Sequence, residues 1–178
     1  MTEKQETIKN KTQRISEKNI MEYTIAQFQN IKKSNKIKNL ISFHTKNKYM
    51  IMAHDQNELK VMGNIVASNK KNNISKTLSD YEIHLRNSLQ SKPTIKKHSN
   101  VLFHIFGYFS QNFNTLEKEH YFDLLKEFQK QEVTIGQFLA KINPMMYKFN
   151  NTYLANQTYF LLYSDLDSFN LFETLQKE

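Results

Sequence analysis

HSNVLFHIFGYF, residues 98–109, reads as a two-faced helix. Val101, Leu102, Ile105, Phe106 and Phe109 follow the three-and-four spacing of a buried stripe, whereas Asn100, His104, Tyr108 and Gln111 recur at four, four and three on the adjacent side. Gly107 sits between the two rows. A glycine costs about 1 kcal/mol relative to alanine in a helix interior, so its presence predicts that another backbone or a ligand comes close there. The polar row is the first place to look for function.

The helical period continues outward from this segment. With 3 Gly and 2 Pro in 178 residues few breakers interrupt it, and the expected fold is all-α, a single compact bundle of about six to eight helices. Residues 1–16 are polar without an apolar stripe and predict a frayed extension, leaving 17–178 as one helical domain. Ile20, Tyr23, Thr24, Phe28 and Ile31 predict a first helix, and a second is expected from Lys38 to Met52. Asp55 with Glu58 forms a capping signature that restarts a helix to Ser68. Residues 69–73 read as a loop, and Ser75 to Leu89 as a helix with Leu78, Tyr81, Leu85 and Leu89 inward. The central helix is expected over Thr94–Asn112, entered through Pro93. Asn114 with Glu117 caps the next, whose buried row is Leu116, Leu124, Leu125 and Phe128. Thr134 and Gln137 form a further capping pair before Phe138, Leu139 and Ile142. Beyond Pro144 an aromatic segment runs from Tyr147 to Leu162, with Tyr153, Gln157 and Phe160 on one helical side, and the acidic tail from Asp165 predicts a last short helix.

Composition narrows the function classes. The absence of cysteine removes disulfides, thiolate metal sites, iron–sulfur ligation and cysteine nucleophiles. No apolar run approaches a membrane span and the chain opens on MTEKQETIKNK, so a cytoplasmic protein is expected. The formal charge of +8 is unevenly spread: residues 1–50 carry 11 Lys and Arg against 4 Asp and Glu, residues 151–178 carry 1 against 4. This asymmetry points to a polyanionic partner. A compositional origin is the competing reading, since 23 of the 25 basic residues are lysine.

Four ordered blocks carry a family resemblance. They are His98 to Phe109; Phe43-His44 with Lys46 to His54 (KNKYMIMAH) and then Met62-Gly63; Glu117-Lys118; and Tyr153-Leu154 with Gln157, Tyr159 and Phe160. Together, over residues 38–163, they resemble the YbgA-like proteins, a bacterial domain family of unknown function. The chain departs from the family pattern after the Glu117-Lys118 helix, where it reads QKQEVTIGQFLAKINP, and near the end, where Leu162-Tyr163-Ser164 replaces a tyrosine- or histidine-proline pair. YbgA-like domains occur alone or fused behind an iron–sulfur desulfidase of the thiouracil type, where they are implicated in holding tRNA. Without cysteines this chain cannot ligate such a cluster. The resemblance therefore implies a non-catalytic tRNA-binding helper linked to thiouridine metabolism, partnered by a separately encoded desulfidase.

The residues themselves give partial guidance. Six histidines show no metal-ligand spacing, and no nucleophile elbow or Gly-rich phosphate loop is present, so no cofactor, metal or catalytic residue is assigned. Acid–base chemistry by His54, His98 or His104 competes with a structural reading in which His54 sits at a helix junction and Asp55 is the N-cap. Aromatics beside cations suit single-stranded RNA, whose bases stack on Tyr, Phe or His while lysines meet phosphates. Lys96 and Lys97 precede Asn100 by one turn, His98 leads into the row of His104 and Tyr108, and Lys46 and Lys48 stand beside His44 and Tyr49. Phe103, Phe106 and Phe109 read as core. Tyr153 and Gln157 complete the set, Gln157 as a residue that could orient His104 or Asn100. Two alternatives stand beside RNA binding: an enzyme or small-ligand receptor with His44, His54, Asn100, His104, Tyr108 and Gln157 converging in a closed pocket, and a protein-interaction subunit marked by a broad apolar patch.

Overall fold

The computed structural model describes residues 15–68, 73–148 and 152–165, and every regular element in them is a helix. Most of the N-terminal extension, nearly all of the 69–73 loop and the acidic tail beyond Asp165 lie outside the described residues. Helix α1 (Glu17–Ser34) begins where Ser16 Oγ accepts from the Asn19 amide at 3.1 Å and ends on Asn35, whose φ of 47° is a conformation that asparagine tolerates.

The hub of the bundle is α2 (Ile37–His54), against which α1, α3, α4, α5 and α9 all pack. Tyr49 to His54 are buried without interruption, so this end of α2 has no solvent face. The segment 98–109 is therefore not the centre of the molecule. An even apolar run marks a surrounded helix more faithfully than an amphipathic one does, and the run lies in KNKYMIMAH.

Asp55 ends α2 and starts α3 (Gln56–Ala67), its carboxylate accepting from the amides of Asn57 at 2.8 Å and Glu58 at 3.0 Å. Helix α4 (Ile74–Gln90) lies against α2 and α3. Its Tyr81 ring stacks on Phe28 at 5.4 Å and meets Phe43 edge-on at 6.2 Å, welding α1, α2 and α4 into one core.

Helix α5 (Ile95–Phe109) stops short of the expected Asn112 and packs against α2 and α6. The Asn114–Glu117 capping box opens α6 (Thr115–Gln129), with amide-to-side-chain bonds of 2.9 Å in both directions. Leu116, expected in the buried row, is 75% exposed. Steps of three and four back from buried Tyr121 land on Lys118 and Glu117, so Leu116 points away from the core.

Reciprocal bonds between Thr134 and Gln137 open α7 (Ile135–Lys148). It runs through Pro144, which lies on its exposed side, while Phe138, Leu139 and Ile142 are buried. Two short helices follow, α8 (Thr152–Ala155) and α9 (Thr158–Tyr163). Their break at Asn156-Gln157 overturns the single aromatic side expected for Tyr153, Gln157 and Phe160, because Gln157 adopts an extended N-cap conformation. α9 packs against α2 and α7.

The three glycines answer to different causes. A Cβ on Gly63 would make ordinary contact with His44, and nothing lies within 4 Å of one on Gly107, so no described backbone approaches the latter. A Cβ on Gly136 would collide with the carboxylate of Asp165, which accepts from Thr134 Oγ1 at 3.2 Å over the start of α7.

Candidate functional site

The proposed site residues divide into an interior set and an exterior set. His54 is 1% exposed at the end of α2. Its Nδ1–H donates to the Ser91 carbonyl at 2.8 Å, leaving Nε2 as an acceptor 3.0 Å from the Tyr163 hydroxyl. That hydroxyl also lies 3.2 Å from the Glu17 carboxylate, so its single proton serves either the imidazole or the acid at a time. Burial is the main influence on His54 and holds its pKa below the ordinary histidine value, outweighing the upward pull of the Ser91 bond and Glu17.

His98 is also buried, 2.7 Å from the Tyr159 hydroxyl, with its ring 5.0 Å from that of Tyr163. The sequence reading has it lead into the polar row. It belongs instead to the inward stripe, four residues before Leu102 and seven before Ile105. Lys97 is likewise turned inward: its ammonium donates to the His54 carbonyl at 2.6 Å, Ser91 Oγ at 2.6 Å and the Lys92 carbonyl at 3.1 Å. It closes the end of α2.

Gln157 is 2% exposed and donates from Nε2 to the Thr45 carbonyl at 2.8 Å, orienting neither His104 nor Asn100. His44 is half-buried and faces Tyr81, its Nδ1 3.0 Å from that hydroxyl; burial and then Lys48 lower its pKa. Lys46 is exposed at a concavity of about 330 Å³ that Tyr23 and Asn39 also line. Of the six residues that a closed pocket would gather, four have partners in different places: His44 on α4, His54 at Ser91 and Tyr163, Asn100 on Gln56, Gln157 on α2. Among the described residues no group of three or more His, Asp or Glu is placed to hold a metal ion.

The exterior set is built on α5. Lys96 and His104 are exposed, Asn100 is half-buried with its Nδ2 donating to Gln56 Oε1 at 3.0 Å, and Tyr108 is 48% exposed. The Tyr108 ring stacks on Tyr153 of α8 at 5.3 Å and 25°. Tyr49 lies close enough that both phenols, after burial, help push its pKa up to about 12, and Lys48 Nζ stands 5.9 Å from the Tyr49 ring centre. Phe103, expected in the core, is also 48% exposed, although its ring keeps a 6.4 Å contact with Phe122. Gly107 falls among these residues, in open space. Lys96, Asn100, His104 and Tyr108 recur at four, and Phe103 and Gly107 follow Asn100 at successive spacings of three and four, a continuous strip along one helix.

Comparison with known proteins places the chain in a family. The family model described as "Protein of unknown function (DUF1722)" matches residues 48–164. The chain belongs to that family. It is also similar to "Uncharacterized protein YbgA" of Escherichia coli (strain K12), 26% identical over 125 residues that cover 70% of this chain and 74% of the relative. No solved structure matches the chain. The matched span of the DUF1722 family covers the buried end of α2, the whole of α5 and the α8–α9 turn, which supply both sets of residues apart from His44 and Lys46.

Sequence reading missed several participants. Tyr163 carries no sequence signal beyond its departure from the family pattern, and Glu17 and Ser91 carry none. Phe103 was legible as exposed from its place three residues after Asn100, on the polar side of α5.

Proposed function

We propose that this protein is a non-catalytic RNA-binding module that lays single-stranded or looped RNA along the solvent face of α5. The observation that carries the reading is that Phe103 and Tyr108 are each 48% exposed on the same helix face as Lys96 and His104. Exposed aromatics backed by neighbouring rings can stack bases, and the flanking cations can meet phosphates. Tyr108 is braced by Tyr153 and bordered by Lys48 through Tyr49, so the platform is built from three helices. The formal charge of +8 adds long-range attraction for a polyanion.

The family resemblance makes tRNA the first RNA to try and a separately encoded iron–sulfur desulfidase the first protein partner, with the pair acting on thiouridine in the cytoplasm. The helper holds the RNA, and the partner supplies the chemistry. Titration of fluorescein-labelled tRNA with the protein, followed by polarisation, tests the reading. Binding on the order of micromolar that weakens steeply between about 50 and 200 mM salt is expected, and no binding at the lower salt would remove it.

A further inference from the structure

We infer that the groove between α5 and α6 is a nucleotide subsite that takes one base together with its phosphate. The inference rests on the RNA-binding reading of the α5 face and gives that face a point of base recognition. The groove has a volume of about 520 Å³ and is lined by Ile95, Lys96, Ser99, Asn100, Phe103 and Gln129.

Ser99 is the informative residue. It is 6% exposed, and its Oγ has no hydrogen-bond partner among the described residues. A helical serine or threonine ordinarily returns its hydroxyl to a carbonyl one turn back. Thr24 does so to Ile20 at 2.8 Å, Thr77 to Asn73 at 3.2 Å and Ser88 to Leu85 at 2.8 Å. Ser99 forgoes that outlet at the edge of a groove. A buried hydroxyl left unpaired is a cost that a bound polar group would remove.

The surroundings select the class of ligand. Phe103 offers an exposed ring, and the Ser99 hydroxyl, covered at the edge of the groove, offers both a donor and an acceptor to a group that reaches it. Asn100 commits its Nδ2 to Gln56, while its carbonyl oxygen enters no described hydrogen bond. Gln129 adds a second, exposed amide at the end of α6, and Lys96 adds one cation without an ion pair among the described residues. No carboxylate lines the groove, so an anion meets no repulsion there. One aromatic plane, several edge-reading groups and a single cation match a planar base with one phosphate. The nucleotide could be a free nucleoside monophosphate or one residue of an RNA strand, and both share this chemistry.

Titration of ¹⁵N-labelled protein with AMP, CMP, GMP, UMP and tRNA, beside Ser99→Ala and Phe103→Ala, separates the cases. For the subsite, Ser99→Ala is expected to leave the thermal midpoint unchanged or raise it while weakening ligand binding, and Phe103→Ala to weaken it by about tenfold. Shifts at Ser99, Asn100, Phe103 and Gln129 with a monophosphate support a free nucleotide as ligand. The same shifts with tRNA alone support a strand residue. If tRNA binds both variants as tightly as wild type, the subsite is overturned and the RNA reading stands. If tRNA fails to bind but a monophosphate shifts the groove, the RNA reading falls and the subsite stands. Silence from all five ligands overturns both.

Discussion

His54 sits at the junction of α2 and α3 with Asp55 as the N-cap, as the structural reading of the sequence expects. Both ring nitrogens are engaged, one by Ser91 and the other by Tyr163, and burial keeps the imidazole neutral near pH 7. Because its folded pKa lies below the unfolded value of 6.5, the unfolded chain binds more protons in the interval between the two. Stability is therefore full above pH 6.5 and declines as pH falls toward the folded pKa, and His44, shifted the same way, adds to the decline. The thermal midpoint should drop between pH 7 and pH 5, and His54→Asn should flatten that dependence while lowering stability throughout. An unchanged slope would mean that another group carries it. Two adjacent lysines make a second test. Lys97→Met removes three hydrogen bonds at the end of α2 and should cost about 2 kcal/mol in chemical denaturation. Lys96→Ala should leave stability alone, weaken tRNA binding and reduce the salt slope by about one.

At the scale of elements the same substitution is predicted to act differently at two glycines. Gly107→Ala introduces a Cβ into open space within α5 and should stabilise the protein by about 0.5–1 kcal/mol, measured by urea denaturation. Gly136→Ala gains the same helix propensity but must push Asp165 off the start of α7, so its benefit should be smaller or reversed. The contrast was not legible in sequence, where Gly107 suggested a close neighbour and Gly136 suggested nothing. Capping pairs were legible because their reach is local: Asp55 with Glu58, Asn114 with Glu117 and Thr134 with Gln137 each bond within three residues. Orientation was harder. Periodicity identified both faces of α5 but not which neighbour each would meet, so His98 and Phe103 exchanged places between the expected exterior and interior. The α8–α9 break was hidden because no glycine or proline marks it.

For the whole molecule, the all-α class followed from the scarcity of breakers, and seven of the nine described helices are longer than six residues. The hub was not legible because α2, buried at one end on every side, shows weak amphipathicity, whereas α5 keeps a solvent face and looks more ordered as a pattern. That same solvent face is what gives the exterior set its exposure. The His54–Tyr163 and His98–Tyr159 contacts tie α2, α5 and α9 together, and the strip from Lys96 to Tyr108, where we propose that RNA binds, is left to solvent. The most direct test of the account is polarisation of labelled tRNA with wild type and with the His104→Ala, Tyr108→Ala double variant, beside thermal melts of both. The account predicts an unchanged melting midpoint and a loss of affinity of at least about tenfold, from the stacking platform alone. Equal affinity for both proteins, or a double variant that unfolds early, would contradict it.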